Sequence, residues 1–219
     1  MTSTTVNRSW AQRQRMAVLG LLTAAALVGC SGASGDSGDA AGGTPSPSRS
    51  SASPSPTATP TAAYKPASAE GPAENVPLPV MPEEAKVQSK EGLEAFARYW
   101  YELVNYGFET GDTEPIRAIS GPDCPVCNTF YETVELGFAN NGWIAGGEID
   151  VQDAASEYIS TPEGRYQVLI QQEQTPMSYC SSGGVLGTGG GTTEPAVQMI
   201  EARYAESGWY AETVVTIRA

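Results

Sequence analysis

Cys124-Pro125-Val126-Cys127 is the densest group of reactive side chains in this sequence. Two thiols three residues apart at the start of a helix suit thiol–disulfide exchange, because a helix N-terminus lowers a thiolate's pKa. The same spacing suits a small structural disulfide that fastens a loop to a helix, worth about 2 kcal/mol for so short a ring in the loop-closure account. Exchange chemistry expects a strand-first βαβ pattern ahead of the motif, and none precedes it. A structural Cys124–Cys127 bond is therefore the expectation, with pairing of Cys180 to either partner as the alternative. Three such thiols supply too few ligands for a metal. The chain has no histidine, which removes Ser-His and Cys-His nucleophile pairs and the usual base near neutrality. Asp112, Asp123, Glu148 and Asp150 are general acid/base candidates by type, but no pair is set apart by spacing and solvation is the plainer reading. The run 183–191 is rich in glycine, lacks lysine and reads as a flexible connecting loop that could gate a pocket, not as a phosphate cradle. No catalytic residue, metal or cofactor is expected.

The 219 residues carry 12 Lys+Arg against 25 Asp+Glu, a net charge of −13. Such a balance excludes a nucleic-acid partner, since phosphates are gripped by clustered cations. The only early cationic cluster, Arg8, Arg13 and Arg15, precedes an apolar run from 16 to 28. This reads as a signal peptide over residues 1–29, because a membrane-spanning helix needs about 20 apolar residues. The run ends Leu27-Val28-Gly29-Cys30, which resembles the lipobox of bacterial lipoproteins. That resemblance implies cleavage before Cys30 and acylation of its sulfur; two acyl chains hold a protein on a bilayer where one is marginal. Residues 30–80 read as a disordered linker rich in Ser, Thr, Pro and Gly, a spacer or an O-glycosylated stalk.

The elements that must position the remaining chemistry lie in residues 81–219. Ser89 caps a helix over 90–110, on which Leu93, Phe96, Ala97, Trp100, Leu103 and Val104 recur at helical spacing and after which Gly111 stops the turn. A short helix follows Asp112 or Thr113, and a third spans 125–139. Strands are expected over 148–160, 165–174, 196–205 and 209–218, with Tyr166, Val168 and Ile170 on one face of the second and Trp209, Ala211, Thr213, Val215 and Ile217 on one face of the last. The fold class is therefore α+β: three N-terminal helices packed on one curved antiparallel sheet.

This order resembles the nuclear-transport-factor-2-like cone fold. Met81-Pro82-Glu83-Glu84-Ala85, Phe96-Ala97-Arg98-Tyr99-Trp100, Asn105-Tyr106, Thr110-Gly111-Asp112 and Pro122-Asp123-Cys124-Pro125-Val126-Cys127 together resemble a family of actinobacterial lipoproteins of unknown function. The resemblance implies a location on the outer, cell-wall side of the membrane and a pocket at the open end of the cone. Trp100, Tyr106, Phe130, Tyr166 and Trp209 are its candidate pocket-lining residues. The expected role is non-catalytic binding of a small apolar ligand or of an envelope partner protein. The alternatives are a small carboxylate-dependent hydrolase or isomerase and, behind it, thiol–disulfide exchange by Cys124 and Cys127.

Overall fold

The computed structural model describes residues 62–192 and 194–218; the expected signal peptide, Cys30 and most of the expected linker lie outside them. Helix α1 spans Lys90–Thr110, the range its signals predict. Ser89 Oγ accepts the Gly92 N–H at 2.9 Å and satisfies one of the free donors of the first turn. Gly111 closes the helix with φ +78°, a conformation glycine adopts without a Cβ penalty. The apolar stripe of α1 is fully buried, from Leu93 and Phe96 through Trp100 to Phe108. Helices α2, Glu114–Arg117, and α3, Pro125–Phe138, follow.

Among the described residues seven strands follow: β1 Trp143–Gly146, β2 Ile149–Ala155, β3 Tyr166–Gln174, β4 Pro176–Ser181, β5 Gly184–Gly190, β6 Ala196–Ala205 and β7 Gly208–Arg218. They do not form one curved sheet. They divide into a three-stranded sheet of order β1-β4-β5 and a four-stranded sheet of order β2-β3-β6-β7, all antiparallel. The expectation of three N-terminal helices on a single cone-like sheet is thus corrected: the architecture is mainly two antiparallel sheets, and the few helices occupy the middle of the chain, α2 being a single turn.

The division has a local cause. At the β1–β2 connection Gly146 and Gly147 both have positive φ, +77° and +83°, which ends β1 and turns the chain toward the other sheet. Beside it the chain passes from β3 to β4 through Thr175-Pro176, and a proline has no N–H with which to continue a ladder. The two passages are stitched together by Gly147 N–H to Pro176 O, 3.2 Å, and Thr175 N–H to Glu148 O, 2.9 Å. The second departure from expectation is β5. Residues 183–191 were expected to be a loop, yet backbone hydrogen bonding to β4 needs no side chains, and this glycine-rich stretch pairs along the edge of the small sheet. A third is β7: a register shift opposite Glu201 and Ala202 reverses the facing of the strand, so that Val214, not Thr213, is buried beyond it.

Folded structure also begins ahead of residue 81. Lys65 pairs with Glu74 and Ser68 with Gly71, within the stretch the sequence reading assigns to the linker. Trp143 Nε1–H donates to Ser68 O at 2.7 Å, and Tyr64 donates its hydroxyl to Glu109 on α1. Composition alone hides this segment, because its order comes from α1 and β1 rather than from apolar residues of its own.

Gly146 tests the crossing. A Cβ there would stand 2.4 Å from Pro176 O in a left-handed backbone, whereas at Gly164, also left-handed at φ +75°, it would meet nothing within 4 Å. Gly164→Ala is expected to cost about 1 kcal/mol and Gly146→Ala at least about 2–3 kcal/mol in urea unfolding. Equal losses would mean the close approach is not a constraint.

Candidate functional site

Where the two sheets part, they and the helices line an open-sided cavity of about 470 Å³, a volume suited to a small molecule. Trp100, Tyr101, Val104 and Phe108 of α1 form one wall, and Val126 and Phe130 of α3 another. Ile149 and Gln172 come from the large sheet, Met177 and Tyr179 from the small one. None of the described residues lining this cavity is Asp, Glu, Lys or Arg. Tyr101 is buried, and burial pushes its hydroxyl well above the usual tyrosine range, so it stays neutral.

Three glutamines reach the cavity, and they differ in how they are held. Gln198 accepts the Tyr101 hydroxyl proton at its Oε1 and donates Nε2–H to Thr216 Oγ1 at 3.2 Å. Gln174 donates Nε2–H to Gly147 O at 3.1 Å, across the crossing. Gln172 is 5% exposed, and its Oε1 is buried with no hydrogen-bond partner among the described residues. A buried, unpaired amide oxygen costs about 1–3 kcal/mol. The strand pattern makes this side chain inescapable: β3 buries Val168, Ile170 and Gln172 on one face, so Gln172 occupies the next core position of an apolar row.

Of the residues expected to line a pocket, Trp100 and Phe130 do so and Tyr106, Tyr166 and Trp209 do not. Tyr106 lies two residues from Val104, about 200° around the helix, and so faces away from the cavity wall. Tyr166 and Trp209 pack instead with Tyr158 and Tyr204 in an aromatic cluster, with Trp209 Nε1–H donating to Val87 O at 2.9 Å. Gln172 is the residue sequence reasoning missed. Continuing the period-two count of Tyr166, Val168 and Ile170 by one step would have found it.

Cys124 and Cys127 form a disulfide at the start of α3, with Pro125 and Val126 between them in the cavity wall. Both cysteines are fully buried. An attacking thiolate has no path to either sulfur, and the bond acts as a fastening for the wall. Cys180 is unpaired and buried on β4 opposite Trp143; burial, and secondarily the Glu70 carboxylate, pushes its thiol pKa up. Asp112, Asp123, Glu148 and Asp150 are all exposed, and Asp112 is occupied in capping, its Oδ1 accepting the Glu114 N–H at 3.0 Å. A carboxylate-dependent hydrolase or isomerase would need one such group inside the cavity, and the wall contains none.

In class, this is a domain of two antiparallel sheets and a helical flank around an uncharged apolar cavity. The chain belongs to a family of unknown function, DUF6318, whose sequence profile matches residues 62–215. No curated protein matches it. Among solved structures, the intermembrane-space region of the chloroplast protein ARC6 is similar over 61% of this chain and 99% of its own, at 9% identity and a TM-score of 0.43. So distant a likeness carries no argument about fold or activity.

Two stability measurements follow from this geometry. Replacing both Cys124 and Cys127 by Ala is expected to lower the unfolding free energy by about 2 kcal/mol. Gln172→Leu, which removes the unpaired amide at nearly constant volume, is expected to raise it by about 1 kcal/mol. A destabilised Gln172→Leu protein would show that the amide serves the fold itself.

Proposed function

We propose that this protein is a lipid-anchored lipoprotein of the actinobacterial cell surface whose folded domain binds a small, mainly apolar molecule in the cavity between its sheets. The observation that carries the binding role is the wall itself: about 470 Å³ lined mainly by aromatic and aliphatic side chains together with neutral Gln and Thr, without a charged residue among those described. Support for the anchor is the sequence Leu27-Val28-Gly29-Cys30 behind a short apolar run and three arginines. Loss of those arginines on cleavage leaves a net charge of −16, which anionic lipid headgroups repel. The lipid on Cys30 is then the attachment, and the domain stands off the membrane on the outer, cell-wall side.

Mass spectrometry of the native protein, isolated from its host membrane without prior denaturation, tests both parts. The expected result is a polypeptide that begins at an acylated Cys30 and releases a small neutral molecule when unfolded. Unacylated protein free in the culture fluid would overturn the anchor. A protein that releases nothing, and takes up no neutral naphthalene derivative in solution, would overturn the binding role.

A further inference from the structure

Gln198 and Gln174 already spend their amides on the protein, the first on Tyr101 and Thr216, the second on Gly147 O. Gln172 does not: among the described residues neither end of its amide has a partner, although the residue is only 5% exposed. The two ends are placed differently. Oε1 is the buried end, whereas Nε2 keeps accessible surface and is the end offered to the cavity that Gln172 lines. Across the sheet Gln172 stands opposite Val151 on β2 and Ala196 on β6, neither of which has a side-chain acceptor for its N–H groups. The amide therefore does nothing for the fold. Leucine or methionine would continue the Val168, Ile170 row without the cost of the buried oxygen. What the glutamine adds is a pair of N–H donors at an apolar wall.

We propose that the cavity selects an uncharged, largely apolar molecule bearing a carbonyl oxygen, and that Gln172 is the residue that recognises this oxygen, through Nε2–H. The assignment rests on the ligand-binding role above and adds to it the chemical class of the ligand. Because the cavity is open on one side, water hydrates the Nε2–H groups when no ligand is present. A guest that displaces this water has to return the hydrogen bond, or it leaves a donor dry in apolar surroundings. Trp100, Val104, Phe130 and Met177 give contact to any guest of suitable size, and Gln172 separates guests of equal shape by whether they carry an acceptor. Charge narrows the class further. No described Lys or Arg lines the cavity to neutralise a carboxylate or phosphate, and burying an unpaired charge costs far more than one hydrogen bond returns.

The test is equilibrium dialysis of three probes against the full-length protein. 2-Acetylnaphthalene carries the carbonyl; 2-isopropenylnaphthalene has the same shape with a CH2 group in place of the oxygen; 2-naphthoate has carboxylate oxygens and a negative charge. The quantity read is the affinity of the ketone relative to the alkene, compared between native protein and variants, so that the difference in hydration of the two probes cancels. This ratio is expected to fall about tenfold in Gln172→Leu. Gln172→Met, which keeps the length of the side chain and loses the N–H groups, is expected to show the same fall and provides the comparison should the leucine variant fold poorly. In the native protein 2-naphthoate is expected to bind more weakly than the ketone. A ratio that stays the same or rises in the variants would overturn the role of Gln172. Binding of 2-naphthoate as tightly as the ketone would overturn the restriction to uncharged ligands. Failure of both neutral probes to bind the native protein would strike the binding role itself, and the assignment with it.

Discussion

The organisation of this domain depends on one crossing, where Gly146-Gly147 and Thr175-Pro176 pass each other and are joined by two backbone hydrogen bonds. Each passage loses the ability to continue a ladder for its own reason, positive φ in one and a missing N–H in the other. Seven strands that could have formed a continuous sheet are thereby set as two, and the space between them becomes available. Ile149, Gln174 and Met177 flank the crossing and line the cavity. The site is therefore a consequence of how the sheets part, and the side chains that finish it come from α1 and α3.

Closure of that space is managed by fastenings rather than by charge. The Cys124–Cys127 bond fixes the first turn of α3, where Pro125 and Val126 meet the cavity. Trp100 is anchored through Nε1–H to Ser120 Oγ at 2.8 Å, and Ser120 O accepts the Tyr210 hydroxyl at 2.8 Å. The same segment hydrogen-bonds along β7, with Gly121 N–H to Ala211 O and Ala211 N–H to Ile119 O. One serine thus ties α1 to the edge strand of the large sheet, and the aromatic wall of the cavity is held from behind. The segment 64–75 performs a comparable service on the small sheet, through Trp143 and Ser68.

Much of this was legible in the chain. The helix over Lys90–Thr110 could be read from Ser89, the apolar spacing and Gly111, because capping and amphipathic periodicity are local properties. The β3, β6 and β7 segments announced themselves by alternation, and the Cys-Pro-Val-Cys spacing is compatible with a bond whatever surrounds it. Trp100 and Phe130 stood among five aromatic candidates for the wall. Tyr166 and Trp209 were not separable from them, since a buried aromatic looks the same in sequence whether it faces a cavity or another ring.

The amino-acid sequence by itself determined the helices and the four strands of the large sheet, the acidic and histidine-free character of the chain, and the residues around Cys30 on which the proposed anchor rests. Tertiary structure alone decided that the strands form two sheets, that 183–191 joins one of them as an edge strand, and that β7 reverses its facing at a bulge. It also decided that Gln172, one polar residue among many, has its amide oxygen buried without a partner. The physical reason is range. Caps, periodicity and cysteine spacing act within a few residues, whereas the division of a sheet, the shape of a cavity and the satisfaction of a buried amide depend on which distant backbone and side-chain atoms come to lie beside them.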